Sequence, residues 1–336
     1  MNAKSGPRSG KYGGFVVAAL LATSLALQLP AADAAETSFP HRPITLVVPF
    51  PAGGSTDIST RLLAREMEKD LGQPVIVENR SGSAGTLGIN LVAKSPPDGH
   101  TLGIAGSGPA VLLNLIGQNV AYEPLKDLSF VARQNIVDFV FVTRNDASFG
   151  DIRELIDHAR SASSPLSIGN SGTNGPAHLA SELLASSAGF KMLPVPYKGE
   201  SPLLADVIGG HVDVGLVTVT GASSTIKAGK VKALGVAGSA RSIVFPQLPT
   251  VADSGVEKYA ARAWQVIVAP AGTPDDIVMR LNEAINRALS NPELKEKYAA
   301  YGMEVVGGTP AEARAFVVEE TEKWRATFES MKAASN

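Results

Sequence analysis

Four short clusters of small residues interrupt the apolar runs of this 336-residue chain in the same way. Residues 50–57, 81–86, 106–109 and 169–175 each follow a strand-like apolar run and lead toward a helix-like segment. The repeated order of strand, small polar loop and helix predicts an α/β fold. In an open sheet, such loops gather at the carboxyl ends of the strands, where ligands bind.

The first cluster is the most specific. Ile44 to Val48 reads as a buried strand, and Pro49-Phe50-Pro51-Ala52-Gly53-Gly54-Ser55-Thr56 as a turn. A helix is expected over 57–71, beginning near Asp57, with Gly72 as its stop. The two glycines leave N–H groups uncovered at a helix N-terminus, where the dipole favours an anion. No Lys or Arg stands between Ile44 and Thr60, so an anion held here is held by main chain and hydroxyls. Further strands are expected at 75–77, 101–105, 139–143, 166–168, 212–219, 231–236 and 265–269. Helices are expected over 150–160, from Pro176, and through the tail from 274 onward, broken only at Gly307-Gly308. Thr273 and the capping box Thr309-Pro310-Ala311-Glu312 read as helix starts.

Charge and composition exclude several functions. The net charge is −2 and no basic block occurs, which argues against nucleic acid. The chain has no cysteine, hence no thiol nucleophile, disulfide, thiolate metal site or lipid-bearing cysteine. Lys4, Arg8 and Lys11 precede an apolar run from Phe15 to Leu29, and Ala32-Asp33-Ala34 has the small-x-small form of a cleavage site. Residues 1–34 therefore read as an export signal cleaved near Ala34/Ala35. An uncleaved anchor is the alternative, but the run is short of the ~20 residues that span a bilayer.

Enzymatic motifs are incomplete. The first loop lacks the Lys of a nucleotide-binding P-loop. Gly106-Ser107-Gly108-Pro109 lacks the third glycine of a dinucleotide fingerprint. Gly169-Asn170-Ser171-Gly172-Thr173 has Thr173 where a serine-hydrolase elbow needs Gly, although Ser171 with His178 or His211 could be drawn as a dyad. The five histidines show no metal-ligand spacing, and no cofactor is expected. What remains is a cleft of N–H groups and hydroxyls with few charges, the chemistry of a binding protein.

The run His41-Arg42-Pro43-Ile44-Thr45-Leu46-Val47-Val48-Pro49-Phe50-Pro51-Ala52-Gly53-Gly54-Ser55-Thr56-Asp57 resembles the opening of the Bug-type (TctC-like) periplasmic substrate-binding proteins of tripartite tricarboxylate transporters. Five further segments agree with that family in order: 71–80, 97–102, 195–199, 248–255 and 269–274. The likeness covers residues 39–330.

The resemblance implies a periplasmic binding protein (Venus flytrap) fold of two α/β lobes joined by two crossover strands. The crossings are placed near 131–139 and 261–268. Lobe 1 is then 36–138 plus 262–336, and lobe 2 is 139–261. The resemblance also implies a small carboxylated ligand, a two-component membrane permease as partner, a periplasmic location and a monomer. Sensing through a membrane receptor is the alternative output. Carried over by position, Ala52, Gly53, Gly54, Ser55, Thr56 and Asp57 form one carboxylate pincer, and Ser107 and Gly108 the cleft floor. Gly169, Asn170, Ser171, Gly172, Thr173 and His178 belong to the opposing loop, and Tyr197, Lys198 and Gly199 to one wall. Asp57 reads equally well as a first-turn cap, and Lys198 as a salt-bridge partner. Many relatives carry an Asp followed by a small polar residue and Pro after the strand near 212–216, where this chain has Val217-Thr218-Val219-Thr220-Gly221. Without that acid, a plain carboxylate with an apolar or aromatic body is expected over a ligand with an amino group.

Overall fold

Ten strands form one continuous, strongly mixed sheet that changes character half-way along. The computed structural model describes residues 1–3, 5–6, 39–118 and 120–334, with side chains to Glu329. The export signal expected over 1–34, apart from its first few residues, and its cleavage point lie outside the described residues. Pro40–Asn336 is one compact unit, described below.

The first half of the sheet is built on three parallel strands, β1 (Ile44–Val48), β2 (Val75–Asn79) and β3 (Thr101–Gly106), in the order β2-β1-β3. Helix α1 (Ser55–Leu71) follows β1, and α2 (Thr86–Ala93) follows a short turn after β2. Leu63, Ala64, Met67 and Leu71 bury one stripe of α1; of the apolar stripe expected from the sequence, Leu63, Met67 and Leu71 are buried, while Ile58 and Leu62 are half-buried. The second half is built on β5 (Leu166–Ser171), β6 (Met192–Tyr197) and β7 (Val214–Thr218), also parallel, in the order β7-β5-β6. Helices α3 (Ile152–Ser161), α4 (Pro176–Ala188), α5 (Glu200–Gly209) and α6 (Val219–Lys227) flank it.

The two halves share β4 (Leu128–Thr143). From Leu128 to Asp138 this strand pairs antiparallel with β9 (Arg262–Pro270), and from Phe139 to Thr143 with β7. β8 (Lys232–Val236) also lies on its second part, and β10 (Met303–Gly307) on its first. The chain returns through Ala261, whose N–H donates to Ala237 O, before β9 begins. The partner change is marked by charge. Arg262 Nε donates to Asp138 Oδ1 at 2.7 Å and its Nη2 to Glu304 Oε2 at 2.8 Å. Helices α7 (Asp275–Ser290), α8 (Pro292–Ala300) and α9 (Pro310–Ala334) close the first half.

Several expectations need correction. The first helix starts at Ser55, two residues before Asp57. Residues 106–109 are not a loop: Gly106 ends β3, and a π-helical turn begins at Gly108 directly after Ser107. Gly169, Asn170 and Ser171 belong to β5 rather than to the loop after it. Thr273 does not cap α7; its hydroxyl donates to Pro270 O, and Pro274 takes the capping position. The tail is not all helix, because Met303–Gly307 pairs with β4. Thr309 and Glu312 do form the expected capping box, with Thr309 N donating to Glu312 Oε2 and Glu312 N to Thr309 Oγ1.

Candidate functional site

Parallel pairing puts the ends of β1, β2 and β3 on one edge of the first half, and those of β5, β6 and β7 on one edge of the second. The loops leaving these edges meet. A Cβ placed on Gly199 would lie 3.9 Å from the Pro51 ring, and one on Gly108 would lie 3.4 Å from the Pro176 ring. On its own side, Gly85 sits against Phe50 and Pro109. The structure thus brings the loop at 51 and the helical turn at 108 from the first half against 176 and 199 from the second.

Asp57 organises the first loop. Its side chain is 5% exposed. Oδ2 accepts from Gly53 N at 2.9 Å and from Arg61 Nε at 3.0 Å, while Oδ1 accepts from Asn79 Nδ2 at 2.9 Å and pairs with Arg61 Nη2 at 2.9 Å. Burial pushes its pKa up, but the hydrogen bonds from Arg61, Gly53 and Asn79, with the Arg61 charge, outweigh it and hold the carboxyl below the ordinary value. Gly53 has φ +80°, a conformation that favours glycine, and its N–H is committed to Asp57. The expectation that both glycine N–H groups are open is therefore corrected. Ile58 N is the first to bond within the helix, to Gly54 O. The N–H groups of Ser55, Thr56 and Asp57 precede it and make the donor set of this helix end.

A buried polar chain supports that end from behind. Gln265 Nε2 donates to Thr56 Oγ1 at 3.0 Å, and Ser59 Oγ donates to Gln265 Oε1 at 2.9 Å. Tyr298 OH donates to Ser59 O at 2.8 Å and accepts from Gln134 Nε2 at 3.1 Å. Sequence reasoning missed Asn79, Gln265, Tyr298 and Gln134. The one available signal was Gln265, a polar residue inside an apolar strand.

On the opposing edge, Asn170 is fully buried, and its Oδ1 has no partner among the described residues. The same holds for Ser107 Oγ, at the end of β3. Buried polar atoms are normally satisfied, so two such atoms, one at each edge, call for a ligand or water. Gly169 is a packing position: a Cβ there would collide with Leu203 and crowd Tyr197. Gly172 N turns back to Asn170 O, and Thr173 is exposed. His178 braces this loop, its Nδ1 accepting from Asn174 N at 2.9 Å while Nε2 lies 3.5 Å from Glu182 Oε1. Its proton is thereby placed on Nε2, and among the described residues Ser171 bonds to neither His178 nor His211. Tyr197 OH donates to Asp206 Oδ2 at 2.8 Å; burial, then that bond, pushes it up to about 12. Lys198 is exposed and makes no ion pair among the described residues.

Val217 and Val219 are buried, and Thr218 caps α6 by accepting from Gly221 N at 3.0 Å. This segment carries no acid of its own, but the structure brings one to it. Glu200, the first residue of α5, accepts from Thr218 N at 2.6 Å through Oε1 and from Thr218 Oγ1 at 3.1 Å through Oε2. The expectation of an acid-free wall is corrected accordingly. Among the described residues no group of three His, Asp or Glu could hold a metal ion, and no helix is long and apolar enough to cross a membrane.

Residues 59–332 match the tripartite tricarboxylate transporter family receptor, TctC. The chain belongs to that family. Among curated relatives, a UPF0065 protein of the tcbD-tcbE intergenic region of Pseudomonas sp. strain P51 is 39% identical, covering 86% of each chain. Protein BugT of Bordetella pertussis is 35% identical over 88% of this chain and 90% of its own. Among solved structures, R. palustris Rpa4515 with adipate superposes with TM-score 0.84 at 31% identity, covering 88% of this chain and 98% of that one. The periplasmic binding protein BugD gives 0.82 at 31% identity, over 88% and 99%. MatC of Rhodopseudomonas palustris with bound malate gives 0.81 at 32% identity, over 86% and 99%. The fold is accordingly that of a two-lobed periplasmic binding protein, and this TctC-family chain is a solute receptor rather than an enzyme.

Proposed function

We propose that the protein captures a small carboxylate between its two halves and presents it to a two-component membrane permease of the tripartite type. The observation that carries this is the convergence of the 51 loop and the 108 turn on 176 and 199, with Ser107 Oγ and Asn170 Oδ1 unpartnered among the described residues at the two edges. One ligand carboxylate meets the N–H groups of Ser55, Thr56 and Asp57, with Ser107 and Asn170 as direct or water-bridged partners. The relatives that hold adipate and malate support the same ligand class. Lobe 1 is residues 36–138 with 262–336, lobe 2 is 139–261, and closure bends the chain at the Asp138–Arg262 level. The protein works as a monomer in the periplasm after cleavage near Ala34/Ala35.

Thermal unfolding against a panel of mono-, di- and tricarboxylates, aromatic acids and amino acids tests this. A ligand at a hundred times its Kd adds ~2.7 kcal/mol of stability. A shift with a carboxylate class is expected. No shift with any acid, after unfolding and refolding to strip co-purified ligand, overturns the assignment.

A further inference from the structure

The wall beside the site contains an acid that a carboxylate receptor has no evident use for. Glu200 follows Gly199, the residue of the second half that comes against Pro51 of the first. It therefore stands one residue from a close approach of the two edges. Its carboxyl reaches the end of β7, where Thr218 supplies both of its hydrogen bonds. The neighbouring α6 makes room for it, because a Cβ on Gly221 would collide with Oε2. The side chain is thus seated by two elements rather than left loose on a helix end.

The seating sets it at the N-terminus of α6, whose cap is Thr218, with no side-chain cation beside it among the described residues. Among the described residues Glu200 has no ion pair, and Lys198, two residues away, is exposed. A carboxylate offers about four lone-pair positions on its two oxygens, and Thr218 fills two. The remaining capacity accepts hydrogen bonds and repels another anion. Burial also pushes the Glu200 pKa above the ordinary value, against the pull of the Thr218 bonds, so the partner it lacks is a ligand donor that favours the ionised form.

We propose that Glu200 selects the solute by its far end: it accepts a hydroxyl or ammonium donor carried by a carboxylic acid and turns away a second carboxylate. The proposal rests on the carboxylate-capture reading, with the first carboxylate at the Ser55–Asp57 helix end. It also separates this chain in chemistry from the relative that holds adipate, an acid with a carboxylate at both ends.

The test is titration calorimetry of refolded protein with matched acids of four and six carbons. In each length the far end is a methyl, a hydroxyl, an amine or a second carboxylate. Wild type is expected to bind the hydroxyl- or amine-ended acid at least tenfold more tightly than the dicarboxylate of equal length. Glu200→Gln, close to isosteric and able to keep a bond from Thr218 N, is expected to weaken the amine-ended acid and tighten the dicarboxylate by at least tenfold. Should Glu200→Gln fail to fold, the order of affinities in wild type decides alone. Tighter dicarboxylate binding by wild type, or an unchanged ratio in Glu200→Gln, overturns the role of Glu200 and leaves carboxylate capture standing. Binding of none of the eight acids overturns both.

Discussion

Replacing Asp57 by Asn removes the charge that fastens the first loop while keeping the shape of the side chain. Asp57 meets Gly53 N, Asn79 Nδ2 and two nitrogens of Arg61. An amide keeps one oxygen as acceptor and turns two N–H groups toward donors, so it loses the contacts of one oxygen. Either oxygen carries one Arg61 contact and one contact to a neutral donor. A buried hydrogen bond to a charged group contributes about 1.5–3 kcal/mol. Arg61 is 45% exposed, so water replaces much of its share and that contact adds about 0–1 kcal/mol. The expected loss is about 1.5–4 kcal/mol, read as a fall in the urea midpoint and, for a chain of this length, as roughly 2–6 °C in melting temperature. The released turn must then be ordered by the ligand. Fixing one residue costs about 1–2 kcal/mol, so affinity should drop roughly five- to thirtyfold in calorimetry. A variant that melts within a degree of wild type and binds equally well would show that the carboxylate does not hold this turn.

Gly53→Ala and Gly54→Ala should differ. Gly53 has φ +80°, so Ala there costs about 1 kcal/mol, whereas Gly54 has φ −76° and accepts Ala with stability unchanged, losing affinity alone if this backbone faces the ligand. Gly108→Leu should keep the 108 turn from the Pro176 ring, weakening binding more than a hundredfold in calorimetry, because closure around ligand needs that approach. Tyr298→Phe takes a second donor from the helical carbonyl Ser59 O and leaves Gln134 Nε2 without its acceptor inside the protein, and should cost about 1–3 kcal/mol in urea unfolding. Asp57 and Glu66, the latter through its hydrogen bond from Lys69, are both held below the ordinary carboxylate value. Their contribution is present above the unfolded value near ~4 and is lost as pH falls through the lower folded values, so Asp57→Asn should flatten the acid limb of the stability curve.

The parts of the fold legible in the sequence were those with a local cause. The apolar run at 44–48, the helical stripe after it and the capping box at Thr309 each carry their signal within a few residues, and all three are found. The parts missed depend on partners far along the chain. Met303–Gly307 is a strand because Arg133–Val137 offers it an edge, a pairing across about 170 residues that no local pattern announces. Gly169, Asn170 and Ser171 read as loop because Gly, Asn and Ser favour turns, yet pairing with β6 on one side and β7 on the other holds them extended. The candidate site divides in the same way. The helix end after Gly53-Gly54 was readable, although the two glycine N–H groups are taken by Asp57 and Pro51 O. The side chains that fix that end, Asn79 and Gln265, come from other strands.

Glu200 shows why the acid at the wall was the least legible of all. The segment 217–220 contains no acid, and reading it alone gives an apolar or hydroxyl surface. The carboxyl arrives from the start of α5, eighteen residues earlier, because β6 and β7 lie on either side of β5 and end at the same edge of the sheet. A wall of this kind is defined by the edge on which it stands, and any element leaving that edge can supply its charge. The same reasoning applies to the anion-binding side. The charges near it, Asp57 and Arg61, are spent on each other, so the proposed capture rests on neutral N–H groups and hydroxyls. In the proposed capture, specificity falls to Ser107 Oγ and Asn170 Oδ1, unpartnered among the described residues, and to the capacity that Glu200 keeps beyond its two Thr218 bonds.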